Sequence, residues 1–142
     1  MSHTAWSKAK DLRVWADTLE ARHKLPALVR KLIYATVESP KLFQFPADEG
    51  TQRRGWDGVL ETDFGNAWVP KGNSVWEMGV DQDPETKAES DYGKRTKNSG
   101  TIKMAEVTYV FVTPRKWESK PKWLQEKRAE KKWLSVIGLG LR

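Results

Sequence analysis

Residues 55–96 read GWDGVLETDFGNAWVPKGNSVWEMGVDQDPETKAESDYGKRT. The stretch opens on Gly55-Trp56-Asp57-Gly58, where two glycines flank the start of a strand predicted over Trp56–Thr62. Glycines at such a point let backbone or ligand approach closely. Gly65, Pro70 and Gly72 then mark turns around a short extended piece expected at Ala67–Val69. The next strand is predicted over Ser74–Val80. Its alternation puts Trp76, Met78 and Val80 on one face as core, and Val75, Glu77 and Gly79 on the other. Asp83-Pro84-Glu85 is a strong helix start. Asp83 caps, Pro84 takes the first helical position and Glu85 complements the dipole. That helix is predicted to run to about Thr96.

Upstream, Leu12, Trp15, Ala16 and Leu19 follow helical spacing and predict an amphipathic helix over Ser7–Arg22. Pro26 fits the first turn of a second helix to about Val37, with Leu28, Val29, Leu32, Ile33 and Ala35 as its apolar residues. Lys41–Pro46 is a short strand with Phe43 and Phe45 on one face, and Asp48–Gly55 is a polar loop. Downstream, Lys97–Gly100 is a loop, and the β-branched and aromatic run Val107–Val112 predicts a strand buried on both faces. Thr113-Pro114 is expected to close it. A charged helix over Lys120–Trp133 and an apolar strand over Leu134–Leu139 complete the chain. The predicted class is α/β: an α-β-β-β-α-β core followed by α-β, with a mixed central sheet flanked by helices.

The 142 residues suit one domain with one hydrophobic core. The sequence shows no internal repeat and no inter-domain linker. It stops just after an apolar strand, which is compatible with the N-terminal part of a longer protein. No apolar run approaches the roughly 20 residues of a membrane helix, and Met1–Lys10 has no apolar signal-peptide core. A cytoplasmic protein with no membrane partner is therefore expected. The absence of cysteine excludes disulfides, thiolate zinc sites and cysteine nucleophiles. With His3 and His23 the only histidines, a His-based zinc site is disfavoured. No G-x-x-x-x-G-K-[ST] loop and no G-x-S-x-G elbow supports a nucleotide-hydrolase or serine-hydrolase reading. The net charge of +6 favours anionic partners such as nucleic acid, although mixed charge of both signs also serves solubility. The eight tryptophans are expected mainly in packing, with base stacking a role for one or two at most.

Asp57 and Glu77 are the candidates for chemistry. A carboxylate in mid-strand among apolar neighbours is costly unless it is paired or binds a cation. Two carboxylates on neighbouring strands suit a hard ion such as Mg²⁺ or Mn²⁺, which completes its shell with water and substrate phosphate. Such an ion lowers the pKa of water and offsets charge on a scissile phosphate. The competing readings are a turn aspartate that caps nearby amides and an exposed glutamate on an edge strand.

The order of elements over Ser7–Val112, with G-W-D-G followed by W-E-M-G, resembles the PD-(D/E)xK superfamily of restriction-endonuclease-like nucleases. The longer run quoted at the outset is similar to the N-terminal nuclease-like domain of large bacterial proteins, some of which act in anti-phage defence. The resemblance implies a metal-dependent DNA endonuclease with Asp57, Glu77 and a lysine as catalytic residues, and further domains or a homo-oligomer as its setting.

The superfamily's lysine, two residues after the glutamate, is replaced here by Gly79. That lysine orients the attacking water and stabilises negative charge. In some superfamily members the lysine has moved to the following helix. Lys87, in the first turns of the Asp83-capped helix, is the expected substitute, with Gly79 leaving room for its stem. The alternative for Lys87 is a surface pair with Asp91 at i+4. Lys94 and Arg95 on the same helix, and Arg53 and Arg54 before Asp57, are candidates for gripping phosphate. Gln52 and Glu49 are weaker candidates for the rim, nothing singles out the helix acid Glu20, and Tyr92 is expected to pack against the sheet. The basic segment Arg115–Lys132 is either a DNA-facing patch or a solvated helix in weak ion pairs. Without lysine at position 79, a domain that binds nucleic acid or a protein partner and cuts nothing is the rival reading.

Overall fold

A computed structural model of the chain describes residues 19–45 and 56–141. Helix α1 (Leu19–Thr36) leads into β1 (Leu42–Gln44), β2 (Gly58–Thr62) and β3 (Gly72–Met78). Helix α2 (Pro84–Lys97), β4 (Val107–Lys116), helix α3 (Lys120–Ala129) and β5 (Ser135–Leu141) follow. The fold is α/β, with the α-β-β-β-α-β order expected from the sequence and a final α-β. The strands form one mixed sheet in the order β1-β2-β3-β4-β5. The pairs β1-β2 and β2-β3 are antiparallel, while β3-β4 and β4-β5 are parallel. Parallel neighbours require long crossovers, and α2 and α3 supply them.

The sheet is covered on both faces. On one side Leu25, Val29, Ile33 and Val37 form an i+4 stripe that packs onto Leu60, Trp76, Met78 and Val110. On the other, Ala88 and Tyr92 of α2 and Trp123 and Leu124 of α3 pack onto Val75, Tyr109, Phe111 and Val136. Period-two alternation along β3 and β4 divides their side chains between these two cores. The expected core face of β3, Trp76, Met78 and Val80, belongs to the α1 side. Glu77 and Val75 face α2 and α3. Trp76, Trp117, Trp123 and Trp133 are all buried, as a packing role requires.

Several elements differ from expectation. Pro26 does not begin a second helix: α1 runs unbroken from Leu19 to Thr36 with Pro26 inside it. An interior proline costs about 3 kcal/mol, and the buried stripe on either side of it offsets that cost. Ser7–Thr18 of the predicted first helix lie outside the described residues. Pro114 does not close β4, which continues to Lys116; the ladder to β5 is irregular between Val112 and Lys116. A residue without an N–H is tolerated where the ladder is interrupted. Ala67–Val69 forms a bend, because Asn66 Oδ1 accepts from the backbone N–H of both Trp68 and Val69. Strand β3 starts two residues early at Gly72 and ends at Met78. Helix α3 stops at Ala129, and Trp133 turns back into the core with its Nε1 donating to Thr96 Oγ1 at 2.9 Å.

The docking of α1 is testable at adjacent positions. Ile33 is fully buried and Leu32 is 48% exposed. Ile33→Ala should lower unfolding free energy by about 3 kcal/mol, whereas Leu32→Ala should change it by less than about 0.5 kcal/mol. Urea denaturation of the two variants distinguishes this arrangement from one in which the other helix face is buried.

Candidate active site

The first pair in the β2–β3 register is Gly58 with Trp76. One step further, Asp57 lies opposite Glu77. Position 58 has no side chain because the Phe45 ring fills that space: a Cβ on Gly58 would overlap it. Asp57 Oδ2 accepts from the Met78 amide at 2.9 Å, and the Asp57 amide donates to Glu77 Oε2 at 3.1 Å. These reciprocal bonds hold the two carboxylates beside each other across the strand ends. Asp57 is therefore a residue that receives a backbone amide, as the capping reading supposed, but the amide belongs to the neighbouring strand. Glu77 is 4% exposed on an inner strand, not on an edge.

Helix α2 lies over this pair. Asp83 caps it, accepting from the Thr86 amide at 3.2 Å, and Pro84 stands in the first turn. Lys87, Asp91 and Arg95 follow at i, i+4 and i+8, so one stripe of the helix points three charged groups toward the sheet. Arg95 Nε donates to Glu77 Oε1 at 2.7 Å, and its guanidinium stacks over the Trp56 ring at 4.9 Å. Lys87 Nζ pairs with Asp91 Oδ1 at 3.2 Å. Its stem runs across Gly79. A Cβ there would stand 2.6 Å from Lys87 Cγ and 3.1 Å from Lys87 Cε. The stem of Lys87 thus crosses Gly79, as the substitute reading needs, while its ammonium makes the i+4 pair with Asp91 that the alternative supposed. A cavity of about 350 Å³ adjoins this end of the sheet, lined by Leu25 and Pro26 of α1 with Asp57, Gly79 and Lys87.

Burial dominates the electrostatics. It pushes both carboxyls upward, Glu77 to about 7. The charge of Asp57 adds to the rise at Glu77, and Arg95 opposes it. At Asp57 the Met78 amide and the Lys87 charge favour the ionised form, while Asp91 disfavours it. Two close carboxylates resist double ionisation, so the site is short of positive charge. Tyr109, on β4 beside Val75, has its hydroxyl buried with no hydrogen-bond partner among the described residues. Burial, then the charge of Glu77, pushes that hydroxyl up.

No three His, Cys, Asp or Glu side chains converge as a metal-binding group among the described residues. Mg²⁺ does not require three, since one or two carboxylates suffice when phosphate and water complete the shell. Asp57 and Glu77 fit such an ion: their donors are all oxygen, Asp57 lines the cavity, and burial raises the pKa of both carboxyls. The fit is limited by Arg95, which already occupies one oxygen of Glu77.

The other candidates are dispersed. Arg53, Arg54, Gln52 and Glu49 lie outside the described residues. Lys94 is exposed in the last turn of α2. Arg95, expected to hold phosphate, pairs with Glu77 instead. Tyr92 packs as expected, edge-on to Tyr109 and Trp123, with its hydroxyl donating to Glu130 Oε1 at 2.9 Å. The basic segment after β4 is largely committed to structure. Lys127 pairs with Glu89 at 2.7 Å and lies over the Tyr92 and Trp123 rings. Arg128 Nε donates to the Val136 carbonyl, and Arg115 Nε to the Val80 carbonyl. Sequence reasoning assigned no site role to Asp91, Trp56 or Tyr109. Asp91 was signalled by its i+4 spacing from Lys87. Tyr109 was not, since its position depends on the β3–β4 register.

No family model, curated protein or solved structure matches the chain. Its chemistry is therefore to be sought in its own residues.

A carboxyl whose pKa is raised on folding stabilises the protein fully below its unfolded value, and that stability is lost as pH rises through the folded value. For Glu77 the window lies between about 4.5 and about 7. In chelator, the unfolding free energy should fall across this window, and Glu77→Gln should flatten the fall. Denaturation at half-unit pH intervals measures it; an identical slope in the variant would show that Glu77 titrates normally.

Proposed function

We propose that this domain is a metal-dependent endonuclease that hydrolyses DNA phosphodiester bonds. The observation that carries this reading is the pairing of Asp57 with Glu77 across adjacent strand ends, with the Lys87 stem laid over Gly79. The resemblance to restriction-endonuclease-like nucleases supports it: the α-β-β-β-α-β order is the one it implies, and it would make Asp57 and Glu77 the acids and Lys87 the lysine in its migrated form. Asp57 and Glu77 hold Mg²⁺ or Mn²⁺. When bound, the ion offsets charge on a phosphate and lowers the pKa of water at the site. Lys87 supplies an ammonium that stabilises negative charge developing on the phosphate, or orients the attacking water. Asp91 holds that ammonium in place between turnovers. Among the described residues no helix is long and apolar enough to cross a membrane. On the resemblance alone, we place the domain in the cytoplasm, as the effector part of a longer or oligomeric anti-phage defence protein.

A second reading has an observation in its favour. Lys87 and Arg95 are both already paired, with Asp91 and Glu77. A closed set of ion pairs suits a domain of this fold that binds nucleic acid or a protein partner and does no chemistry.

Plasmid nicking separates the two. The wild type should nick DNA in Mg²⁺ or Mn²⁺ and not in chelator, and Asp57→Ala and Glu77→Ala should abolish nicking while remaining folded. Lys87→Ala should lower the rate by about 10²-fold or more with Mn²⁺ and DNA binding retained, because the ammonium acts in the transition state. Wild-type rates in Lys87→Ala would remove the lysine from the mechanism. DNA binding without cutting in any metal would favour the second reading.

DNA affinity measured in Ca²⁺ should fall steeply with salt as bound phosphates release counterions. The slope should become shallower on replacing Arg53 and Arg54. An unchanged slope would place the phosphate contacts elsewhere.

A further inference from the structure

Glu77 has both carboxylate oxygens engaged. Oε2 accepts the Asp57 amide at 3.1 Å, and Oε1 accepts Arg95 Nε at 2.7 Å. The two donors differ in kind. The amide is part of the chain where β2 begins, and a second bond, from the Met78 amide to Asp57 Oδ2 at 2.9 Å, fixes it there. It cannot leave without opening the strand pair. The guanidinium stands at the end of a long side chain on the last turns of α2, with 28% of that side chain exposed against 5% for Glu77. Its Cζ lies over the Trp56 ring at 4.9 Å, a cation–π contact that does not depend on the bond to Glu77.

The charges around Glu77 lead to the same asymmetry. Asp57, Glu77 and Asp91 face Lys87 and Arg95. Lys87 is held by Asp91 one turn away on the same helix, whereas Arg95 reaches across to the sheet. A divalent ion seated on Asp57 and Glu77 would meet Arg95 as a like charge on the very carboxylate it needs. Of the two donors to Glu77 among the described residues, Arg95 is the cationic one, and it reaches the carboxylate from a long side chain.

We propose that Arg95 is the resident counter-cation of Glu77, competes with the divalent ion for that carboxylate, and is released from it when the ion binds. This deepens the two-carboxylate metal reading and rests on it. The release couples two events. Without metal, the guanidinium satisfies a buried acid and is not free for other anions. With metal, the same guanidinium, tethered by α2 within a side chain's length, becomes a donor fork suited to phosphate. The expectation that Arg95 holds phosphate and the observation that it holds Glu77 then describe two states of one residue.

Nitrogen-15 NMR of the wild-type protein near neutral pH, titrated with Mg²⁺ alone, tests this without any activity. The Arg95 Nε–H resonance is assigned by its loss in Arg95→Gln. On addition of Mg²⁺ it should move toward the position of a solvent-exposed arginine, together with shifts in the Asp57 and Met78 amides. Shifts in those amides with an unmoved Arg95 resonance would show the ion binding beside an intact pair, and would overturn the competition while leaving the metal reading standing. No shift in any of these signals would overturn both. Calorimetry on Arg95→Gln is the second measurement, repeated at rising pH until the affinity no longer changes, because loss of Arg95 itself pushes the Glu77 carboxyl further up. Removing the competitor should tighten Mg²⁺ binding by about tenfold. Weaker binding in this variant, with its fold intact by circular dichroism, would make Arg95 a group that orients Glu77 for the ion, and would overturn the proposal.

Discussion

A sheet covered on both faces has no water to offer a charge at its centre, and Glu77 is on an inner strand of such a sheet. An unpaired carboxylate there would be protonated or would not fold. Everything close to it answers that requirement. The Asp57 amide turns toward Oε2, and Arg95 reaches from α2 to Oε1. These bonds only partly succeed, since burial still leaves Glu77 near neutral pH at about 7. A protein that needed only stability would fill such a position with an apolar residue, because buried ion pairs seldom stabilise more than hydrophobic replacements do. The retained acid is the reason to look for chemistry at this end of the sheet.

Helix α2 solves a geometric problem for the site. Asp83 and Pro84 fix where it begins, and from there the helical period fixes which residues point inward. Ala88 and Tyr92 seat it on Val75, Tyr109 and Phe111. The adjoining stripe presents Lys87, Asp91 and Arg95. Rotation of the helix by one residue would withdraw all three together. The second anchor is the wall formed with α3, where Lys127 bridges Glu89 and Glu130 between two aromatic rings. Lys127 of α3 thus supports α2 from behind, while Arg128 ties α3 to β5.

How much of this was legible in the sequence follows from which interactions are local. Strand alternation exposed the two faces of β3 and singled out Glu77, because a period of two is written in consecutive residues. The Asp83-Pro84 start of α2 was equally legible, being a cap contained within four residues. The i+4 spacing of Lys87 and Asp91 was visible as well. The interior position of Pro26 was hidden: a local rule sets proline in a first turn, and only the stripe Leu25, Val29, Ile33 and Val37 packing on the distant sheet overrides it. The continuation of β4 through Pro114 was hidden for a similar reason, since it depends on a ladder irregularity opposite β5. The partner of Arg95 was the largest omission. Its bond to Glu77 spans 18 residues and depends on how α2 crosses the sheet, which no local pattern encodes.

The relation between Gly79 and Lys87 shows how a missing residue can still be accounted for. A lysine at position 79 would share the strand face of Glu77 and send its ammonium past the carboxylates. The place its first carbons would occupy is filled by Lys87, whose Cγ stands 2.6 Å from where a Cβ on residue 79 would be, with Phe111 Cζ at 3.3 Å behind it. A side chain at position 79 would require the Lys87 stem to shift, so the glycine and the present course of the helix lysine go together. With Asp91 set one turn on to receive the ammonium at 3.2 Å, α2 carries a cation at this end of the sheet. Because that element is α2, the same helix that bears Arg95, the position of both cations relative to Asp57 and Glu77 is set by one rigid body.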